Sequence, residues 1–291
     1  MSYQDVKPHL DVEELFGEKS TVTRGEFTEP LPTIPQLPLI HITDGLGFRD
    51  IINSNSLQPG RCKVFQEDLL YLSYGRPVFR VNSQVGSNKQ GHNFPVCIIL
   101  ETNSIEYATR IFPFDSGAFD GELFQNFMHK KFKIGDFALD PNPSYPNCDG
   151  KVPISIVAPK IVEVFYENNT KYYKNTEYRK SLKFDNDELC FEAKSYYSLI
   201  KSEEQQLFDD RRSTIEIQTD NAILLSPDIV SAVVLPGPFL DAKIVENTIF
   251  RKWHAEALNY TQFNDKPSAF IPVIRDIIGR FFIEKGFIGK I

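Results

Sequence analysis

The sequence predicts an α+β fold. Apolar runs of strand length recur along the chain, and the helical stretches between them are irregularly spaced instead of alternating strand by strand. Hydrophobic residues at 41% and charged residues at 24% describe a chain that buries an ordinary core, and 291 residues suffice for one large domain or a medium domain with extensions. We read 1–37 as a proline-rich N-terminal arm, 38–240 as the main domain and 241–291 as a C-terminal helical extension packed on it.

Within the arm, Val12–Phe16 is a short amphipathic stretch. The prolines between Glu29 and Pro38 remove backbone donors and bias their neighbours toward extended structure, so no regular helix fits there. The arm either lies along the domain or docks as a peptide. The core begins with a strand at Leu39–Thr43, then a helix over Gly47–Asn53 and a turn at Gln58-Pro59-Gly60. Leu70–Tyr74 alternates as a second strand, stopped by Gly75 and Pro77, and Phe94–Leu100 is apolar throughout except for its cysteine, as a buried strand is. A phenylalanine-rich stretch, 111–137, and a turn-rich loop over Asp140–Asn147 follow. Ile154–Val157 and Ile161–Tyr166 read as strands, the second turning through Glu167–Thr170 into a hairpin with Tyr172 and Tyr173. Residues 187–208 carry Leu189, Ala193, Tyr196, Leu199 and Ile200 on one helical face. Thr214–Gln218, Ala222–Leu225 and Val230–Leu235 return to strand character, and helices are expected around 241–258 and 267–285.

Composition narrows the chemistry. The formal charge of −7 disfavours a globally basic coat for nucleic acid, though a local basic groove remains compatible with it. Four cysteines lie far apart, with no zinc-ribbon or redox-pair spacing, and Cys97 reads as a small buried hydrophobe. The start lacks the pattern of a signal peptide, and no apolar run approaches the ~20 residues of a spanning helix, so cytoplasm without membrane contact is the expected setting. The five histidines show no helical metal spacing, and phosphate-loop, dinucleotide-fold and nucleophile-elbow motifs are absent.

Three segments stand out together. His41-Ile42-Thr43 ends an apolar strand before an isoleucine-rich helix. Tyr71-Leu72-Ser73-Tyr74-Gly75-Arg76-Pro77 follows about 30 residues later, and Arg211-Arg212-Ser213-Thr214-Ile215-Glu216 brings a carboxylate into a strand after a basic loop. In order and spacing these segments resemble the ADP-ribosyltransferase superfamily of the His-Tyr-Glu type, with DarT-like toxins the most similar branch. The likeness extends over roughly 38–240 and includes the closing run from Glu216 through Leu225, Ser226-Pro227-Asp228 and Ile229–Val234.

The resemblance implies a split, mostly antiparallel sheet with flanking helices, and a cleft between its halves that takes NAD as substrate. Glu216 would be the catalytic carboxylate, stabilising the positive charge that builds on the ribose as the nicotinamide bond breaks. His41 would hydrogen-bond a ribose hydroxyl, with Thr43 orienting nearby. Tyr71 or Tyr74 would stack on the nicotinamide ring, and Arg76 would meet the pyrophosphate. The implied activity is transfer of ADP-ribose to a macromolecule, nucleic acid or protein, in toxin or defence biology. An NAD glycohydrolase of the same fold and a non-catalytic binding module are the alternatives.

Departures qualify the likeness. Arginine-directed transferases carry Glu or Gln two residues before the catalytic glutamate, where this chain has Thr214, so guanidine modification is disfavoured. A nucleic-acid acceptor needs a cationic, aromatic surface, for which 160–183 is the best local candidate, a solvated hairpin being the plainer reading. Asp115-Ser116-Gly117 reads as a tight turn, with the surrounding aromatics either core or the wall of an acceptor pocket. Taken singly, each residue also has an ordinary role: His41 as a satisfied structural residue, one tyrosine facing the core, Arg76 closing a turn or pairing with Asp68, and Glu216 on the polar face of an amphipathic strand.

Overall fold

A computed structural model describes residues 33–78, 91–139, 151–180, 191–202, 210–261 and 267–290. The amphipathic stretch at 12–16, the loop at 140–147, Leu189 and the ends of the expected 187–208 helix lie outside the described residues.

In chain order the elements are β1 (Leu39–Asp44), α1 (Gly45–Ser54), β2 (Ser56–Leu57), β3 (Gly60–Arg61), β4 (Asp68–Tyr74), β5 (Pro95–Leu100), β6 (Tyr107–Ala108), β7 (Arg110–Phe112), α2 (Ser116–Asp120) and β8 (Val152–Pro153). Then come α3 (Ile154–Tyr166), α4 (Asn169–Lys174), α5 (Phe191–Lys201), β9 (Glu216–Thr219), β10 (Ile223–Leu224), β11 (Val230–Pro236), α6 (Lys243–Glu246), β12 (Glu256–Tyr260) and α7 (Ile271–Glu284). The main sheet runs β12-β11-β5-β1-β4-β9-β7, with β3 added on β4; β2 with β10 and β6 with β8 form two small ribbons. Every pair in the main sheet is antiparallel except β11 with β12. The chain is therefore mixed α and β with a mostly antiparallel sheet.

All six residues of β5 are buried, as its unbroken apolar run requires of a central strand. Burying each such aliphatic side chain contributes about 1.5–3 kcal/mol. β5 pairs with β1 along its full length, Leu39 opposite Leu100 through Asp44 opposite Pro95. On its other side β1 meets β4 only at Leu39 with Tyr74 and Ile40 with Ser73. Beyond those pairs the ladder between β1 and β4 stops, and the sheet is divided there.

Helix α1 starts where Asp44 accepts a hydrogen bond from the Gly47 N–H (2.8 Å). It ends at Asn55, whose left-handed backbone lets its N–H reach the Ile51 carbonyl (2.7 Å). Phe48, Ile51 and Ile52 form its buried face. Of the expected 187–208 helix the described part is α5, and it buries Ala193, Tyr196, Leu199 and Ile200, the predicted face.

Three expectations are corrected. The two strands expected at 154–157 and 161–166 are the single helix α3. Their β-branched residues favour strands locally, but Ile154, Val157, Ala158, Ile161, Val162 and Phe165 recur at helical spacing and are all buried, so packing overrides propensity. The expected hairpin is a turn into α4, because Asn168 caps that helix by accepting from the Lys171 N–H (2.9 Å). The helix expected over 241–258 stops early: α6 and a π-helical turn at Asn247–Lys252 give way to β12, which extends the main sheet beside β11. His254 takes a left-handed φ of 52°, which no helix continues.

The end of the proline-rich arm that is described lies against the domain. Leu37 is buried and its N–H donates to the Tyr74 hydroxyl (2.8 Å), while the Gln36 amide donates to the Thr102 carbonyl (2.5 Å). Gly75 adopts a φ of 64°, and a Cβ there would stand 2.3 Å from Leu37, so the chain crossing requires glycine. Among the described residues no helix is long and apolar enough to cross a membrane.

Candidate active site

Where β1 and β4 separate, a cavity of about 420 Å³ opens, and His41, Thr43, Tyr71, Ser73, Thr214 and Glu216 are among the residues that line it. Strand geometry explains the grouping. Tyr71 and Ser73 alternate onto one face of β4, and β9 pairs with that strand so that Glu216 stands opposite Ser73 and Gln218 opposite Tyr71. His41 and Thr43 come from the stretch of β1 that has lost its β4 partner. There the His41 Nδ1 lies 3.1 Å from the Tyr71 carbonyl and bridges the divide. Burial lowers the imidazole pKa from its ordinary 6.5, against the opposing effect of that carbonyl.

Thr43 fits because α1 begins with glycines. A Cβ at Gly47 would stand 2.2 Å from the Thr43 Oγ1, so a side chain there would collide with a residue of the cavity wall. Asp44 and Asp115 also line the cavity, giving its polar lining an acidic cast.

Glu216 sits mid-sheet, flanked by β4 and β7, and is 6% exposed. Its Oε1 accepts from the Ser116 hydroxyl (2.6 Å) and the Gln218 amide (2.6 Å), and its Oε2 from the Ser116 N–H (3.2 Å). Ser116 is delivered by the chain leaving β7, where Asp115 caps α2 through the Ala118 N–H (2.7 Å). The segment expected as a tight turn is thus a helix start, and the aromatics around it are core: Phe114 packs on Phe119, Phe124 and Phe137 at 5.8, 5.4 and 5.1 Å.

Two expected site residues stand elsewhere. Tyr74 belongs to the opposite face of β4 and is fully buried; its hydroxyl accepts from Leu37, and burial raises its pKa far above the ordinary phenol. Tyr71, half-buried on the cavity side, is therefore the tyrosine that faces the cleft; its hydroxyl donates to the Cys62 Sγ (2.7 Å). Arg76 is 0% exposed and lies outside the cavity lining. It ion-pairs with Asp210 (3.0 Å), donates to the Ser213 hydroxyl (2.8 Å) and lies over the Tyr172 ring. Asp68, the alternative partner, pairs with Arg61 (3.7 Å).

In its described part the segment 160–183 buries three of its tyrosines and leaves Tyr178 half-buried. Tyr166, Tyr172 and Tyr173 are buried, and the Tyr172 hydroxyl, with a pKa pushed up to about 12 by burial, donates to the Tyr74 carbonyl (2.8 Å). Lys160 pairs with Glu163 (2.9 Å) and Lys171 with Glu167 (2.7 Å), so these cations are already matched. Lys183 lies outside the described residues.

Gln218 and Ser116 are hydrogen-bonding neighbours of Glu216 to which the sequence reading gave no role beside it. For Gln218 a signal existed: it stands two residues after Glu216 on a strand and therefore on the same face. Ser116 had none, since it reaches Glu216 from a hundred positions away. Among the described residues no group of three or more His, Cys, Asp or Glu side chains is placed to hold a metal ion. No protein-family model, curated protein or solved structure matches the chain.

Proposed function

We propose that the chain is an NAD-dependent ADP-ribosyltransferase acting on a macromolecular acceptor. The observation that carries this reading is the meeting of His41, Thr43, Tyr71 and Glu216 around one cavity at the division of the sheet. In this reaction the bond between C1′ of the ribose and the nicotinamide nitrogen breaks, and its electron pair leaves with nicotinamide. The acceptor nucleophile then bonds to C1′ and gives up its proton. Positive charge builds on the ribose between these events, and a fixed carboxylate beside it lowers the barrier. Glu216 takes that role. His41, neutral at pH 7 because burial disfavours its cation, offers Nε2 as an acceptor for a ribose hydroxyl. Tyr71 presents a ring to the nicotinamide, whose positive nitrogen suits both an aromatic face and the acidic lining that Asp44, Asp115 and Glu216 provide.

Arg76 has no part in this scheme, because its guanidinium is already spoken for by Asp210 and Ser213. Nor does 160–183 argue for nucleic acid as the acceptor, since Lys160 and Lys171 are matched and Tyr166, Tyr172 and Tyr173 are buried. Nicotinamide release from NAD tests the reading. Glu216→Gln, which keeps the side-chain shape but removes the charge and sets an amide NH₂ against a donor, is expected to lower the rate by about 10²–10³-fold while leaving the fold intact. Wild-type protein that releases no nicotinamide would sink the proposal. Release without a mass increase on supplied protein, DNA or RNA would point to water as the acceptor.

A further inference from the structure

We propose that Ser116 and Gln218 are positioning residues that hold the Glu216 carboxylate ionised and oriented in the cavity, and that Arg110 sets the direction of their protons. The inference rests on the transferase reading for its catalytic consequence, although the clamp itself is independent of any particular reaction.

Proton directions follow from one end of the network. Arg110 can only donate, and its Nε lies 3.2 Å from the Gln218 Oε1, so the amide oxygen faces Arg110. Its position is braced by an ion pair with Glu67 and by the Phe65 ring, 4.5 Å from the guanidinium. With its oxygen fixed there, Gln218 turns its NH₂ toward the Glu216 Oε1 (2.6 Å) and the Ser116 Oγ (3.2 Å). Ser116 Oγ thereby accepts a hydrogen bond from Gln218 and directs its own hydroxyl as a donor to Glu216 (2.6 Å). Oε1 accepts from both, and Oε2 accepts the Ser116 N–H. A carboxylate that is 6% exposed would by itself tend to take up a proton, and Asp44 and Asp115, which line the same cavity beside the neutral His41, push the same way. Donors aligned in this way favour the anion instead, and the anion is the form that stabilises a cationic ribose.

Ser116→Ala, Gln218→Leu and Ser116→Thr test the clamp. Carboxyl-carbon NMR titration, with Glu216→Gln to assign the resonance, should show the Glu216 midpoint moved to higher pH in Ser116→Ala and Gln218→Leu and close to wild type in Ser116→Thr. The acid limb of kcat/KM for nicotinamide release should move in the same direction. Each of the first two variants should lose about 10- to 100-fold in kcat with little change in the KM for NAD. If either variant fails to fold, Arg110→Met, a change nearer the surface, should move the midpoint the same way by freeing the Gln218 amide. Titration curves that superimpose on wild type would overturn the proposal. A shifted midpoint in a protein that releases no nicotinamide would leave the clamp standing and remove the transferase reading instead.

Discussion

A carbonyl oxygen can only accept, so the His41 Nδ1 beside the Tyr71 carbonyl carries the ring proton, and Nε2 is left as an acceptor. The lowered pKa has a consequence for stability. The unfolded ring takes up a proton near its ordinary 6.5, whereas the folded ring resists protonation until a lower pH. Stability from this group is therefore complete above 6.5 and declines as pH falls from there toward the folded value. Urea unfolding followed downward from pH 7 should show that decline in wild type and a shallower one in His41→Gln; equal slopes would contradict the assignment. The candidate site was partly legible at this scale. His41, Thr43, Tyr71 and Glu216 were singled out through the resemblance in the order and spacing of three short segments, and all four line one cavity. The choice between Tyr71 and Tyr74 depended on the face that β4 turns to β9, which only the pairing of Ser73 with Glu216 reveals. Arg76 was misassigned because its partners, Asp210 and Ser213, approach it only through folding.

Elements were legible where pattern and packing agree. β5 and the buried face of α5 follow from hydrophobic spacing alone. α3 was missed because Pro159 interrupts a run rich in β-branched residues, features that argue against helix locally, whereas the buried stripe they share is helical. The segment after α6 was missed for a different reason: its helix ends on a tertiary contact. Trp253 is fully buried, its N–H bonds back to the Thr248 carbonyl (2.9 Å), and its indole N–H donates to the Asn55 Oδ1 (2.8 Å) at the end of α1. That contact fixes the turn from which β12 enters the sheet. Trp253→Phe removes the indole donor, leaves the Asn55 oxygen without it and opens space in the core. A loss of about 1–3 kcal/mol is expected in denaturant unfolding. Hydrogen exchange should accelerate at the amides of β12 beyond the change in the rest of the sheet. Uniform acceleration would mean that the turn does not control the strand.

Across the whole molecule, the sheet is joined to α7 through partly buried charge. The Asp210 carboxylate pairs with both Arg76, from the end of β4, and Arg275, from α7. Burial, followed by repulsion from Arg76, draws the Arg275 guanidinium down to about 10. The Tyr173 hydroxyl donates to the Arg275 carbonyl (2.5 Å), so α4 is joined to the same corner. The cluster also bears on the site, because the turn at Asp210–Arg212 leads directly into Thr214 and Glu216. In that turn the Arg211 carbonyl accepts the Asp115 N–H (2.9 Å), next to Ser116. Asp210→Asn would leave two guanidiniums near each other without their anion; because Asp210 and Arg275 are only partly buried, the cost is expected to fall below the ~3–5 kcal/mol of removing one partner of a fully buried pair. Arg275→Met should cost less, since the Arg76–Asp210 pair survives it. Combined with Asp210→Asn, the same Arg275→Met should recover part of the loss, because it removes one of two unmatched cations. Urea unfolding of the two single variants and the double variant measures this coupling. A double variant as unstable as the sum of the singles would show that the charges do not interact. On the transferase reading, nicotinamide release should fall in Asp210→Asn even where the protein remains folded, because the turn that it anchors holds both Glu216 and the approach of Ser116.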